Sequence, residues 1–157
     1  MNKWVVDSAL NAKGKVTSGS YETNYEFEKI TFIEADEASI PLEDFGYFMI
    51  DTEKLDQYWQ SNITQYLPRN LIDLPEWRED CFTKGGKKLR KLISNIKEHG
   101  VIYSPLLSAP PTLHGAPDIY DGRHRFWIIR DLGIPAFPAA IPLNRVNIMQ
   151  KHGLLIN

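Results

Sequence analysis

The order of predicted elements between residues 118 and 138 constrains the fold more than any other part of the chain. This stretch predicts a short strand, a tight turn at Asp121-Gly122, a helix, a stop and a second strand. Glycine in the turn adopts backbone angles that residues with side chains resist. The Leu-Gly-Ile-Pro sequence at 132–135 predicts the helix end, because proline cannot continue a helix and glycine often follows a last turn. A fold that contains this unit must combine sheet and helix.

The helix predicted over residues 123–132 has one side that should face a core. At 100° per residue, this side carries Arg125, Ile128, Ile129 and Leu132. The opposite side carries Arg123, Trp127 and Arg130, and His124 lies on the flank. Trp127 is therefore expected to be exposed beside two arginines.

The first turn of this helix combines the features of an anion site. Its backbone N–H groups lack helical acceptors, the helix dipole is positive there, and the preceding glycine permits close approach of a ligand. Arg123, His124 and Arg125 add side chains that the dipole disfavours and that a bound phosphate would stabilise. The alternative is that the arginines pair with nearby acidic residues and that His124 is a surface histidine. The residues alone leave both interpretations open.

A family resemblance rests on the tetrapeptide Gly122-Arg123-His124-Arg125, which follows a strand and precedes a helix that leads to a proline-containing strand. It looks like the phosphate turn of the ParB/sulfiredoxin superfamily, in which a Gly-x-x-Arg or Gly-x-His-Arg turn binds the phosphates of a nucleoside triphosphate. Upstream, a helix ending at Glu98-His99-Gly100 and the segment 101–107 resemble the family's helix-Gly-x-x-x-x-Pro-strand order. The resemblance covers residues 45–142 and is specific, because several elements match in order.

The resemblance implies a single α+β domain over residues 1–157, ParB/sulfiredoxin-like, with a small mixed sheet and flanking helices. Residues 1–44 lie outside it and are expected to form a β-rich N-terminal extension. Asp51 or Thr52 should cap a helix whose Trp59 belongs to the core. Strands are expected at 4–6, 25–35, 47–50, 101–107 and 136–141, a loop or hairpin turn at 11–24, and a short helix at 144–151.

Charge is distributed unevenly along the chain. Residues 1–83 hold seven Lys or Arg and sixteen Asp or Glu, whereas residues 84–157 hold eleven and four. A basic half hints at an anionic ligand. The two halves would also neutralise each other if they fold together, so the asymmetry permits both interpretations.

The most basic segment is an amphipathic helix predicted at 84–97. Its apolar stripe consists of Leu89, Leu92, Ile93 and Ile96. A cationic face of this kind contacts nucleic-acid phosphates, docks on an acidic surface or remains solvated. The candidate nucleic-acid-binding residues are Lys84, Lys87, Lys88, Arg90 and Lys91.

The motifs of several kinds of catalytic or binding site are absent from this sequence. No Cys/His cluster has zinc spacing, so no zinc site is predicted, and the candidate ligands for a divalent cation are Asp121 and Glu98. No Gly-x-Ser-x-Gly elbow, Walker loop or Rossmann fingerprint occurs. The single cysteine, Cys81, excludes an internal disulfide. No secretory leader and no membrane-spanning apolar run are visible, so a cytoplasmic protein with no membrane partner is expected.

The branches of the superfamily imply different activities. Sulfiredoxins carry a cysteine inside the turn, where this chain has Arg123. Partition proteins place a helix-turn-helix domain after the nucleotide domain, whereas this sequence ends fifteen residues after Pro142. The resemblance therefore implies a stand-alone ParB-like domain. That group includes nucleases, nucleotide-dependent small-molecule kinases and plasmid fertility inhibition factors, which block conjugative transfer.

The expected function is nucleotide binding with NTPase or DNase activity in fertility inhibition. The resemblance implies a nucleoside triphosphate (ATP or CTP) and Mg²⁺ as ligands, with DNA or a protein of the conjugation machinery as a further partner. Candidate catalytic residues are Asp121, His124 and Glu98, and candidate phosphate-binding residues are Gly122, Arg123, His124 and Arg125. An ordinary turn aspartate and a surface glutamate are the simpler interpretations of Asp121 and Glu98. The alternatives are a non-catalytic protein- or DNA-binding module with a degenerate phosphate turn, and a nucleotide-dependent small-molecule kinase.

Overall fold

The structure, a computed structural model, describes residues 3–6, 12–18, 21–27, 30–34, 44–62, 66, 91–92, 94–96, 98–108 and 117–156. Its strands are β1 (Lys3–Val6), β2 (Ala12–Ser18), β3 (Tyr21–Phe27), β4 (Ile30–Ile33), β5 (Phe45–Asp51), β6 (Val101–Tyr103), β7 (Leu106–Ser108), β8 (Asp118–Asp121) and β9 (Ala136–Pro142). Its helices are α1 (Thr52–Trp59), α2 (Arg123–Asp131), the 3-10 turn Leu143–Arg145 and α3 (Val146–Lys151). Residues 91–92, 94–96 and 98–99 are also helical.

The strands form two mixed sheets and a hairpin, which confirms the predicted α+β class. The larger sheet has the order β5-β9-β7-β8, in which only the β7–β9 pair is parallel. The second sheet has the order β1-β4-β6, with a parallel β4–β6 pair. Strands β2 and β3 pair with each other along their whole length, so most of the predicted 11–24 loop is strand. Backbone ladder bonds form there despite the Gly- and Ser-rich composition that indicated a loop.

The single strand predicted over 101–107 is in fact two strands that belong to different sheets. Strand β6 pairs with β4, whereas β7 pairs with β8 and β9. The chain passes from one sheet to the other at Ser104-Pro105, where the Ser104 N–H donates to the Ile33 carbonyl at 2.8 Å. The Pro105 carbonyl accepts from the Ala140 N–H at 2.9 Å, and proline has no N–H to continue a ladder. Consecutive residues thus connect the two sheets.

The β-rich N-terminal part contributes to the same core as the rest of the chain. Ile30 and Phe32 of β4 are fully buried in one hydrophobic cluster with Ile50 of β5 and Phe126 of α2. Trp59 of α1 belongs to this cluster, as predicted, and its ring meets the Phe126 ring edge-on at 5.4 Å.

Among the described helices, none combines the length and apolar character that a bilayer crossing requires.

The ends of the helices follow the local sequence signals. The Asp51 side chain caps α1 by accepting a bond from the Lys54 N–H at 3.0 Å. Gly133 follows α2 with a φ of 74°, a left-handed conformation that favours glycine and lets the chain turn into β9. The predicted order of strand, glycine turn, helix, glycine stop and strand is therefore confirmed.

The predicted exposure of Trp127 and Arg130 is wrong, because α2 is buried on more than its apolar side. Trp127 packs in the main core, and Arg130 is 0% exposed. The Arg130 Nη1 atom lies 2.8 Å from Asp56 Oδ1 of α1, and Nε lies 3.0 Å from Asp131 Oδ1. A guanidinium with two carboxylate partners can be buried without an isolated charge, which helical periodicity cannot reveal.

Aromatic rings surround the same guanidinium. The Arg130 Cζ atom lies 5.7 Å from the centre of the Trp59 ring and 5.5 Å from that of Tyr66. Burial raises the pKa of the Tyr66 hydroxyl, because it disfavours the phenolate, and the positive charge of Arg130 opposes this rise. The cluster ties the end of α1 to the last turn of α2.

Removal of the α1 carboxylate should be costly. Asp56→Ala is expected to lower the free energy of unfolding by about 3 kcal/mol, because Arg130 would stay buried without its closest partner. Chemical denaturation followed by circular dichroism measures this. Gln57→Ala, an exposed position on the same helix, is the matched control and should change stability by less than about 0.5 kcal/mol. Equal effects of the two substitutions would contradict a stabilising role for the buried pair.

Candidate functional site

A cleft of about 410 Å³ opens where β8 meets α2. This size lies within the range of roughly 300–1,000 Å³ that is usual for ligand pockets. Its lining residues are Leu92, Ile119, Tyr120, Asp121, Gly122, Arg123, His124 and Arg125. The whole predicted phosphate turn and the adjacent Asp121 therefore lie together at one concave surface.

The first turn of α2 lies in the lining of this cleft. Gly122 is the residue before the helix, with φ 95° and ψ 25°, and no side chain caps the helix. The first helical hydrogen bond runs from the Phe126 N–H to the Gly122 carbonyl at 2.8 Å. The N–H groups of residues 123–125 therefore precede the helical ladder, and α2 has no acidic side chain in its first turn. This end of the helix is electropositive from both its dipole and its arginines.

Conformation favours glycine at residue 122, and a Cβ atom there would also crowd the Arg125 guanidinium. A Cβ atom built on Gly122 would lie 2.8 Å from Arg125 Nη2 and 2.9 Å from Arg125 Cζ. The φ of 95° is also one that residues with a Cβ rarely adopt. The glycine thus allows the Arg125 guanidinium to lie directly against the backbone of the turn.

Arg125 connects the turn to the neighbouring strands. Its Nη2 atom lies 3.0 Å from Asp121 Oδ2, and its Nη1 atom donates to the Tyr103 carbonyl at 3.0 Å and to the Ser104 carbonyl at 3.4 Å. The side chain is only 14% exposed. Arg125 therefore braces the turn against the end of β6 while its charge remains at the cleft wall.

The three other charged or polar side chains of the turn differ in exposure and partners. The Asp121 side chain is 42% exposed and holds Arg125 through one carboxylate oxygen. Arg123 and His124 are half-buried in the cleft lining. The turn thus offers the cleft an arginine, an imidazole and a carboxylate within five consecutive residues.

The remaining candidates are not brought to this cleft in the part of the chain that the structure describes. The Glu98 side chain is 72% exposed, lies 3.8 Å from His99 Nε2 and does not line the cleft. Lys91 is exposed on its helical segment. The other candidate nucleic-acid-binding residues, together with Cys81, fall outside the described residues: Lys84, Lys87, Lys88 and Arg90. Within the described ranges, no three His, Cys, Asp or Glu side chains cluster as metal ligands.

Three residues of the cleft were not identified from the sequence. Leu92 comes from the helical segment before Gly100, and Ile119 and Tyr120 come from β8. The signal that could have identified two of them is the alternation of buried and exposed residues along β8, in which Ile119 is buried and Tyr120 is exposed. That alternation indicates which side chain faces out, but not that a cleft lies beside it.

Comparison of the chain with protein-family models, curated proteins and solved structures finds no match.

A pair of glycine substitutions tests the special role of residue 122. Gly133→Ala should destabilise the fold by about 1 kcal/mol, because φ is 74° but a new Cβ meets nothing within 4 Å. Gly122→Ala should cost about 2 kcal/mol or more, because the same kind of strain is joined by the contact with Arg125. Urea denaturation measures both values. A smaller loss for Gly122→Ala than for Gly133→Ala would show that Arg125 moves away freely.

Proposed function

We propose that this protein contains a ParB/sulfiredoxin-like domain that binds a nucleoside triphosphate, ATP or CTP, in the cleft at Gly122. One observation carries the proposal: the uncapped N-terminus of α2, with Gly122 in a left-handed conformation, opens into a cleft lined by Arg123, His124 and Arg125. The backbone N–H groups of a helix N-terminus, the helix dipole and cationic side chains all favour a phosphate at this position. The family resemblance adds that the phosphate belongs to a nucleotide.

The two arginines have different roles in this proposal. Arg123 contributes the charge that contacts the phosphates, because it lines the cleft and follows Gly122 directly at the start of α2. Arg125 positions the turn through Asp121 and the Tyr103 carbonyl, and adds its charge from the wall of the cleft. Arg125→Ala would disturb both structure and charge, so Arg123 is the better residue with which to test binding.

The donor set of the cleft suits a magnesium ion that arrives with the nucleotide. Mg²⁺ in nucleotide sites is held by one or two carboxylates together with phosphate oxygens and water. Asp121 lines the cleft and would supply the carboxylate. When bound, the ion would neutralise triphosphate charge. The chain itself would orient the phosphates through its backbone N–H groups and Arg123.

The proposed activity is hydrolysis of the triphosphate or of DNA, in a protein that inhibits conjugative transfer. His124 lies in the first turn of α2, where an imidazole can move a proton to or from a phosphate-bound oxygen or water. Asp121 would assist by orienting the reacting group. Glu98 has no part in this proposal, because it does not line the cleft.

Titration with ATP, CTP and GTP in the presence of magnesium tests the binding step. Arg123→Ala should weaken binding roughly ten- to a hundredfold, because it removes a charged hydrogen bond to phosphate. Lys151→Ala removes an exposed cation from the far helix α3 and should leave affinity unchanged. Calorimetry measures both affinities. Equal affinities in the two variants would place nucleotide binding elsewhere, and no binding of any nucleotide would overturn the proposal.

Turnover assays then separate catalysis from binding. His124→Asn keeps a side-chain donor for phosphate, so nucleotide affinity should fall far less than phosphate release or DNA nicking, which should drop by about a hundredfold or more because proton transfer is lost. Nucleotide binding without turnover in the wild-type protein would instead favour the non-catalytic binding module. ADP formation that requires an added small-molecule acceptor would favour the kinase. Unchanged turnover in His124→Asn would contradict the proposed role of the imidazole.

A further inference from the structure

The cleft has two chemically different walls. One wall is the cationic turn at residues 122–125. The other is apolar and aromatic and consists of Leu92, Ile119 and Tyr120. A ligand that carried only phosphate groups would use the first wall and leave the second unused.

Tyr120 is the most exposed large hydrophobic side chain of the described residues. It is 61% exposed, whereas its neighbour Ile119 is buried in the core. Single exposed aromatic residues are common on protein surfaces, so exposure alone indicates nothing. The informative feature is the position, because Tyr120 stands in the lining of the cleft two residues before Gly122.

We propose that Tyr120 stacks on the aromatic base of a nucleotide whose phosphates bind at the Gly122 turn. The inference rests on the phosphate site proposed above and adds that the ligand is recognised through its base as well as its phosphates. Two residues along a strand span about 7 Å, so Tyr120 lies close to the turn in the lining of the same cleft. Leu92 would provide apolar surroundings that help to exclude water from the stacked base.

Stacking by a tyrosine determines the kind of selectivity that the site can have. Every base has a π-face, so stacking discriminates weakly among bases but strongly against phosphates without a base. The base-bearing phosphate has two possible sources, a free nucleotide or a single-stranded nucleic acid. ATP and a short oligothymidine distinguish these sources, and inorganic tripolyphosphate reports on the phosphate wall alone.

The test measures the affinities of ATP, oligothymidine and tripolyphosphate, each with magnesium, in the wild-type protein and three variants. Tyr120→Ala should weaken binding of the base-bearing ligand roughly 5- to 100-fold, while tripolyphosphate affinity stays unchanged. Tyr120→Phe should bind like the wild type, because the ring remains. Leu143→Ala is the matched control: Leu143 is 52% exposed but does not line the cleft, so affinity should not change.

The outcomes separate this inference from the phosphate site. If ATP, oligothymidine and tripolyphosphate bind equally well and Tyr120→Ala changes none of them, the stacking role is wrong and the phosphate site stands. If Tyr120→Ala weakens tripolyphosphate as much as the base-bearing ligand, the ring has only a structural role and the inference is overturned. If no ligand binds the wild-type protein, the phosphate site itself fails, and base stacking fails with it. Tighter binding of oligothymidine than of ATP, with the same loss in Tyr120→Ala, would support stacking and identify a nucleic-acid strand as the source.

Discussion

The buried ion pair between Arg130 and Asp56 fixes how α1 and α2 are arranged. The rest of the region around the larger sheet depends on this arrangement. The 2.8 Å contact of the pair joins α1, which follows β5, to α2, which precedes β9. These two strands are antiparallel neighbours, so the pair holds the helices together above strands that are already hydrogen-bonded. Removal of one partner of a buried ion pair leaves a charge without compensation, which is strongly destabilising, so the two side chains must stay together. The position of α2, and with it the cleft, depends on that contact.

Two arginines hold α2 at its opposite ends. Arg130 fixes the last turn through carboxylates, whereas Arg125 fixes the first turn through Asp121 and the Tyr103 carbonyl. The first turn must therefore satisfy two demands, since Arg125 braces it and its residues line the cleft. Gly122 reconciles them, because the absence of a Cβ leaves room for the Arg125 guanidinium beside the turn. Bracing of this kind keeps a binding site in place before a ligand arrives.

Much of the local structure could be predicted because its signals are local. The strand, Gly122, α2 and Gly133 follow from turn chemistry and helix-ending residues within a few positions of each other. The grouping of residues 121–125 in one cleft followed for the same reason. The prediction of an exposed Trp127 and Arg130 failed because a helical wheel registers one apolar side, whereas Trp127 packs in the core and Arg130 pairs with Asp56, which is distant in sequence. The division of 101–107 between two sheets depends on the partners Ile33 and Ala140, which no local pattern identifies.

The sequence by itself determined the α+β class, the turn at Gly122, the helix after it and the set of charged residues in its first turn. These are properties of neighbouring residues, set by backbone conformation, helix periodicity and side-chain chemistry. Only the tertiary structure decided that Arg125 braces the turn, that Arg130 is buried, that Glu98 lies away from the cleft and that Tyr120 lines it. Each of these depends on segments that are far apart in the chain and meet only when the sheets and helices pack. That packing determines which groups surround a charge and which residues line a cleft.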